Sequence, residues 1–199
     1  MKTLLIFFVI IIAVAIIIQT YIAMASDKSE TQPYQVVRAE KDFEIRYYPA
    51  ATFATISSKV NTYKELGNSG FRKLAGYIFG GNDEEKKISM TSPVHMDIND
   101  SASTMSFVMP SNYNESNLPK PKNSEVVIST TASEYVAAIT FGGYASDADI
   151  KLYSEKLEEA LKKASISYYG HFRFLGYNAP FQLFYRRNEI IISVNWTVK

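Results

Sequence analysis

The chain opens with a long apolar stretch. Residues 4–18 include no polar side chain, Lys2 is the only charge before them, and residues 21–25 are again apolar or small. At about 1.5 Å per residue, a helix over residues 4–25 crosses a hydrocarbon core of about 30 Å. A helix buried in a protein core could also have this composition, but such a helix requires apolar partners on every side.

Two interpretations of this segment, residues 1–25, stay open. The A-M-A sequence at residues 23–25 has the small residues of a signal-peptidase site, so the segment is either a cleaved secretory signal or a transmembrane anchor. Its only positive charge precedes the apolar run, which favours an N-in orientation. Both interpretations place the rest of the chain outside the cytoplasm, either anchored to the membrane or exported to a compartment such as the periplasm.

The pattern then becomes polar and, after that, strand-like. Residues 26–33 are polar, end in proline and are expected to form a linker, which leaves residues 34–199 as one domain. Residues 34–38 and 43–48 alternate apolar and charged side chains, so they predict a β-hairpin. Residues 51–60 predict a third strand.

Helical periodicity occurs twice in this domain. The first helix has apolar residues at positions 71, 74, 75 and 78 and ends at Gly80-Gly81. The second begins at residues 146–149, S-D-A-D, in the manner of a capping box. Further strands are predicted over residues 88–96, 104–109, 126–130, 134–141, 169–176, 182–187 and 189–198.

These elements repeat in the same order. F-A-T-I at residues 53–56 and V-A-A-I at residues 136–139 each precede a helix, and each helix is followed by an X-Pro segment and another strand. The expected fold is therefore α+β: duplicated strands–helix–strands units form a distorted antiparallel β-barrel with two main helices, preceded by an N-terminal hydrophobic helix. A cleft between the halves is the expected ligand site. The alternative is a chance similarity within an α+β domain.

Composition narrows the chemistry. The chain has no cysteine, two histidines and a formal charge of +1. These counts exclude a disulfide framework, a thiolate metal site and a zinc site with three histidine ligands. Near-neutral charge argues against a nucleic-acid partner. The sequence also lacks the common hydrolase, P-loop and dinucleotide-binding motifs.

Few side chains remain as candidates for binding. His95 is a weak candidate for an axial haem ligand, although a strand histidine is more often hydrogen-bonded within the protein. Arg72, beside the apolar stripe of the first helix, either faces solvent or pairs with a ligand carboxylate. His171, among aromatic residues, is expected to belong to a sheet face.

Five motifs in order resemble the SOUL haem-binding proteins. K-I-S-M-T-S-P-V at residues 87–94 resembles that family's K-I-x-M-T-x-P-V signature, and F-G-G-Y-A at residues 141–145 is similar to its F-x-G-x-A. M-S-F-V-M-P at residues 105–110 resembles a family strand that ends in proline. G-Y-N-A-P at residues 176–180 and R-R-N-E at residues 186–189 complete the set.

The resemblance implies a fold of two pseudo-symmetric halves, each with one helix, and a mostly apolar cleft that binds haem or another tetrapyrrole non-covalently, without a structural metal. It further implies contacts from Arg72 and Gly76 on the first helix and from Tyr177, Phe181 and Leu183 after the G-Y-x-x-P motif. Arg72 would pair with a propionate and the apolar residues would stack on the macrocycle. The chain departs from some members in two ways: no histidine precedes His95, and Gln182 stands where they have a basic residue.

The resulting hypothesis is a non-catalytic tetrapyrrole-binding protein that acts in sequestration or transfer. Its partners would be haem and, through the N-terminal segment, a membrane. The alternatives are a protein-interaction domain with a vestigial cleft and an enzyme that acts on tetrapyrroles. No catalytic residues are assigned, because the sequence offers little acid–base equipment beyond His95 and scattered carboxylates.

Overall fold

The structure is a computed structural model that describes residues 2–27 and 29–197. Within these ranges the chain forms three helices and eleven strands, in an order close to the expected one. The helices are α1 (Lys2–Asp27), α2 (Tyr63–Ile78) and α3 (Asp147–Lys163). The strands are β1 (Glu30–Thr31), β2 (Gln35–Ala39), β3 (Glu44–Tyr48), β4 (Ala51–Ser58), β5 (Thr91–Ser92), β6 (Val94–Asp97), β7 (Ser103–Val108), β8 (Val127–Thr131), β9 (Glu134–Phe141), β10 (Tyr168–Gly176) and β11 (Asn188–Val194).

Nine strands form one curled antiparallel sheet in the order β2-β3-β9-β11-β10-β6-β7-β4-β8. The sheet is a half-barrel that wraps around α2 and α3. The predicted α+β fold, with two main helices and an N-terminal apolar helix, is confirmed.

The strand order also shows the duplication. In the first half β4 pairs with β7, which pairs with β6; in the second half β9 pairs with β11, which pairs with β10. The halves join where β6 runs antiparallel to β10. Each half therefore contributes the same three-strand arrangement and one helix, and the junction lies at the centre of the sheet.

The two faces of the sheet have different surroundings. The inner face and both helices bury the main core, which includes Leu66, Leu74, Leu157 and Leu161. A smaller apolar cluster on the outer face contains Leu175. Part of the expected linker, together with Tyr34, forms an N-terminal strap (residues 29–34) across this outer face. In this strap β1 pairs in parallel with β5, and the strap continues past Gln32.

Two predicted strands differ from the observed structure. Residues 182–187 form a loop, because Tyr185 adopts a left-handed backbone with φ of 55° and Arg186 folds back onto two loop carbonyls. The strand predicted over residues 88–96 is divided into β5 and β6 at Pro93, which has no N–H to donate to a ladder.

Helix α1 is separate from both cores. Residues Lys2–Ile22 are long and apolar enough to cross a membrane, and this stretch is not buried in the protein. Its exposure is contrary to the buried-core interpretation. A signal sequence and a membrane anchor both meet these criteria of length and composition.

Candidate ligand-binding cleft

A cleft of about 770 Å³ lies between α2 and the loop that joins β10 to β11 (residues 177–187). Its volume falls within the range of about 300–1,000 Å³ that is usual for small-molecule sites. Residues of both halves line it, as the duplication led us to expect. The lining consists of Tyr63, Lys64, Gly67, Asn68, Phe71, Arg72, Ala75, Gly76, Phe79, Val94, Met96, Met105, Ala145, Ser146, Asp147, Phe174, Gly176, Asn178, Pro180, Arg186 and Asn188.

One wall of the cleft is the surface of α2, where two glycines leave room for a ligand. The lining residues of α2 follow two i, i+4 rows, one through Gly67 and Phe71 and the other through Arg72 and Gly76. A Cβ atom added at Gly67 or Gly76 would meet no atom within 4 Å. The bare helix backbone therefore allows a flat ligand to approach closely.

The floor of the cleft is apolar and well packed. Phe71 stacks edge-on against Phe107, with ring centroids 5.3 Å apart, and Phe174 does so against Tyr63 at 5.1 Å. The sulfur of Met105 lies close beneath the helix, where a Cβ at Gly70 would come within 3.2 Å of it. These side chains offer an aromatic surface to a planar apolar ligand.

Cationic side chains stand around this apolar floor. Lys64 and Arg72 are exposed on α2, and no residue within ranges 2–27 and 29–197 forms an ion pair with Arg72. On the opposite wall Arg186 donates through Nη1 to the carbonyls of Ala179 at 2.9 Å and Gln182 at 2.7 Å. Its buried Nε atom has no hydrogen-bond partner in the described part of the chain. Each wall of the cleft thus carries a cation, the exposed Arg72 on one side and the half-buried Arg186 on the other.

The single carboxylate of the lining, Asp147, has a structural contact. It belongs to the first turn of α3 and accepts a hydrogen bond of 2.6 Å from the backbone N–H of Tyr63, the first residue of α2. This bond ties the two helices together at the edge of the cleft. Burial raises the pKa of the Tyr63 phenol, and the Asp147 charge adds to this effect against the larger, opposing effect of the Arg186 charge.

The structure brings only some of the sequence-predicted contacts into this cleft. Arg72 and Gly76 line it. Phe181 and Leu183 lie in the β10–β11 loop but are exposed and outside the lining. Tyr177 lies on the outer face, where its hydroxyl donates to Glu189 at 2.8 Å. Contacts between these last three residues and a macrocycle remain predictions.

Neither histidine belongs to the lining. Side chains alternate along a strand, so Val94 and Met96 of β6 face the cleft while His95 lies on the outer face. There its Nε2 is 2.7 Å from the Gln32 side-chain oxygen, and burial together with the Arg173 charge lowers the pKa of His95 to about 3. His171 is exposed, with Nδ1 3.6 Å from Asp97. This geometry gives no support to His95 as an iron ligand.

The outer face also holds a buried charged cluster that the sequence analysis did not identify. The Glu189 side chain is fully buried and accepts two hydrogen bonds from Arg46 and two from Arg187. Burial opposes its charge, but the two guanidinium groups outweigh burial and hold the pKa of Glu189 below its usual value. The R-R-N-E motif could have indicated this cluster, because Arg187 and Glu189 are two residues apart and therefore share one face of a strand.

Two lining residues, Gly67 and Phe174, were not predicted from the sequence, which favoured a hairpin end over a ligand role for Arg186. Gly67 was detectable in principle, because it lies four residues before Phe71 on the same helix face. Arg186 was not, because its position depends on how the loop folds.

The curled half-barrel and its amphipathic cleft define a small-molecule-binding domain. A family model described as SOUL heme-binding protein matches residues 29–193. Heme-binding protein 1 of Xenopus laevis is 30% identical over 175 residues, which cover 82% of this chain and 88% of that protein. Heme-binding protein 2 of Homo sapiens is 31% identical over 166 residues, covering 74% of this chain and 76% of that protein. The chain belongs to the SOUL heme-binding protein family.

A solved structure supports the fold independently. The C-terminal domain of EcmrR superposes with a TM-score of 0.59 over 82% of this chain and 99% of that domain, at 8% sequence identity. At this identity the likeness concerns the fold alone.

Proposed function

We propose that this chain binds haem or a related tetrapyrrole non-covalently in the cleft between α2 and the β10–β11 loop, and that it acts in sequestration or transfer. The observation that carries the proposal is the combination of an apolar floor with a cation on each wall. Haem has the same distribution of chemistry, since it joins a flat apolar ring to two propionates. Membership of a haem-binding family supports the choice of ligand.

Specific residues would hold the macrocycle. The bare backbone at Gly67 and Gly76 admits the ring edge, and Phe71 and Phe174 supply apolar contact. Arg72 would pair with one propionate through its planar donors.

Iron would be a secondary source of binding energy. Bound haem supplies redox and ligand-binding chemistry through its iron, but the lining residues offer it no imidazole. The buried His95 is held on the other face by Gln32. Retention of the ring by apolar and cationic contacts suits a protein that releases its ligand again.

A carrier role is also supported by the polar groups of the cleft. Its single carboxylate, Asp147, is already bound to the backbone at the start of α2. An enzyme acting on tetrapyrroles would need a positioned acid or base. A prolonged incubation with haem distinguishes the two roles, because a carrier returns the ligand spectrum unchanged and an enzyme does not.

Haemin titration of the full chain in detergent micelles tests the proposal. We expect a saturable Soret change at micromolar haemin, and Arg72→Gln should weaken binding about fivefold, the size of a partly exposed ion pair. The matched control is Lys73→Gln, which removes the same charge from a neighbouring residue that pairs with Glu125 outside the cleft. Absence of saturable binding by the folded wild-type chain would refute the proposal.

A further inference from the structure

The β10–β11 loop ends in an exposed apolar tip, residues 181–185, with the sequence F-Q-L-F-Y. The exposed fractions of Phe181, Leu183, Phe184 and Tyr185 are 63%, 51%, 58% and 92%. No charged residue occurs between Ala179 and Tyr185. Such contiguous apolar exposure indicates a partner, because soluble surfaces rarely present large side chains together in this way.

The backbone conformation at the tip favours this exposure. Tyr185 has a φ of 55°, in the left-handed region that bulky side chains rarely adopt. Such a conformation costs about 1–3 kcal/mol and persists only where the surrounding structure holds it. The loop therefore presents the most exposed of its aromatic rings at an energetic cost.

Half of the ten backbone N–H and C=O groups of the tip have partners within the protein. The N–H of Gln182 donates to the carbonyl of Ala179 at 3.1 Å, and the carbonyl of Gln182 accepts from Arg186 at 2.7 Å. The carbonyl of Phe184 accepts from the Gln182 side chain at 2.9 Å. A surface loop normally leaves such groups to water. Each group that is paired within the protein lowers the cost of moving the loop from water into the less polar interface of a membrane.

Helix α1 supplies two of these five bonds. The side-chain amide of Gln19 accepts a hydrogen bond of 3.0 Å from the N–H of Leu183 and donates one of 3.4 Å to the carbonyl of Phe181. The neighbouring Thr20 donates to the carbonyl of Ile16 at 2.8 Å. Gln19 and Thr20, the two polar residues that interrupt the apolar stretch of α1, thus have partners, and Gln19 joins that helix to the loop tip.

The position of Gln19 gives the depth of the contact. The membrane-length stretch of α1 ends at Ile22, three residues after Gln19. At about 1.5 Å per residue, this places the contact about 5 Å from the end of the apolar span. Interfacial segments bury their apolar face to about 5–10 Å, and tyrosines such as Tyr21 and Tyr185 are enriched at that level.

We propose that the tip, residues 181–185, is seated in the interface of a phospholipid bilayer beside an uncleaved α1. The loop would add aromatic and leucine side chains to the anchor and fix how the domain sits on the membrane. Because Asn178, Pro180 and Arg186 of the same loop line the cleft, one wall of the cleft would then lie at the bilayer surface. If the cleft holds haem, a consequence that rests on the proposed function, the ligand would exchange with the membrane directly.

Site-directed labelling measures this seating without any haem. The chain has no cysteine, so a single cysteine takes an environment-sensitive fluorophore without background. The test position is Phe184→Cys and the matched control is Val127→Cys, since each native side chain is 58% exposed and Val127 belongs to edge strand β8, remote from β10 in the sheet. The labelled full-length chains are reconstituted into phosphatidylcholine vesicles, with or without nitroxide-bearing lipids.

The label at residue 184 should be quenched at least twofold more by nitroxide lipids than the label at residue 127, and should resist aqueous iodide. Equal quenching by iodide at both positions, with little quenching by the lipids, would overturn the proposal. The proposal would also be overturned if the chain extracted from membranes began at residue 26, because such a chain lacks Gln19. Lipid contact at residue 184 in a chain that ignores haemin would refute the proposed function and leave the membrane seat intact.

Discussion

Replacements of Gly76 distinguish the stability of the fold from the binding of haem. A small side chain should stabilise helix α2, whereas a large one should block the cleft. A Cβ at this position meets no atom within 4 Å. Alanine is favoured over glycine in a helix by about 1 kcal/mol, so Gly76→Ala should raise the melting temperature by about 2–4 °C in a domain of this size. The same open space is part of the proposed haem seat.

A phenylalanine at this position should therefore fill the cleft. Overpacking a site costs about 1–3 kcal/mol, so Gly76→Phe should weaken haem binding by about 5- to 150-fold. The chain itself should remain folded, because the new side chain has room in the empty cleft. Ser69→Phe is the matched control: Ser69 is an exposed residue of α2 outside the lining, and its replacement should leave affinity within about twofold of wild type.

The assay is haemin titration by Soret absorbance, together with thermal unfolding of each variant in the same detergent. A folded Gly76→Phe chain that binds haemin as tightly as wild type would refute the position of the ligand. A loss of affinity shared equally by Ser69→Phe would show a general disturbance of α2 instead of a blocked cleft.

Two further predictions concern the outer face of the sheet. Glu189→Gln should destabilise the fold by about 3–5 kcal/mol in denaturant titrations, because Arg46 loses its buried carboxylate partner and keeps only the partly exposed Glu44; the exposed Glu125→Gln is the control, and a cost no larger than its cost would contradict the assignment. His95 is held neutral with a pKa of about 3, so the unfolded chain binds the extra proton below about pH 6.5 and stability is lost as the pH falls from there toward 3. Acidification from pH 7 to pH 5 should cost about 2 kcal/mol through this residue. His95→Gln should flatten the stability curve over that range, and a curve unchanged from wild type would count against a buried neutral imidazole.

The buried cluster around Glu189 explains why part of the family motif is structural. Arg187 is the last residue of the β10–β11 loop and bonds both Glu189 and the Tyr34 hydroxyl, the latter at 2.9 Å. The cluster thereby fixes one end of the loop to the sheet and to the N-terminal strap. The loop that lines the cleft thus has a rigid attachment on the opposite face.

Local patterns by themselves determined the helices, most strands and the duplicated order of this protein. Helix α2 follows from the spacing of Phe71, Leu74 and Ile78, and α3 from the cap at Ser146, because helix and cap periodicities are properties of neighbouring residues. The apolar run in α1 was likewise sufficient to predict a helix of membrane length. The ordered motifs identified the family that the comparisons then showed.

Only the tertiary structure decided which face of the sheet each alternating side chain occupies. Alternation along a strand predicts that His95 and Met96 lie on opposite faces of the sheet. The packing of α2 against β7 decides that Met96 lies on the inner face. Tyr177 lies on the outer face for the same reason, since the preceding residue, Gly176, lines the cleft. The contact of Gln19 with Phe181 and Leu183 joins residues more than 150 positions apart in sequence. Local periodicity carries no information about such contacts, because they form only when the halves and helix α1 come together in space.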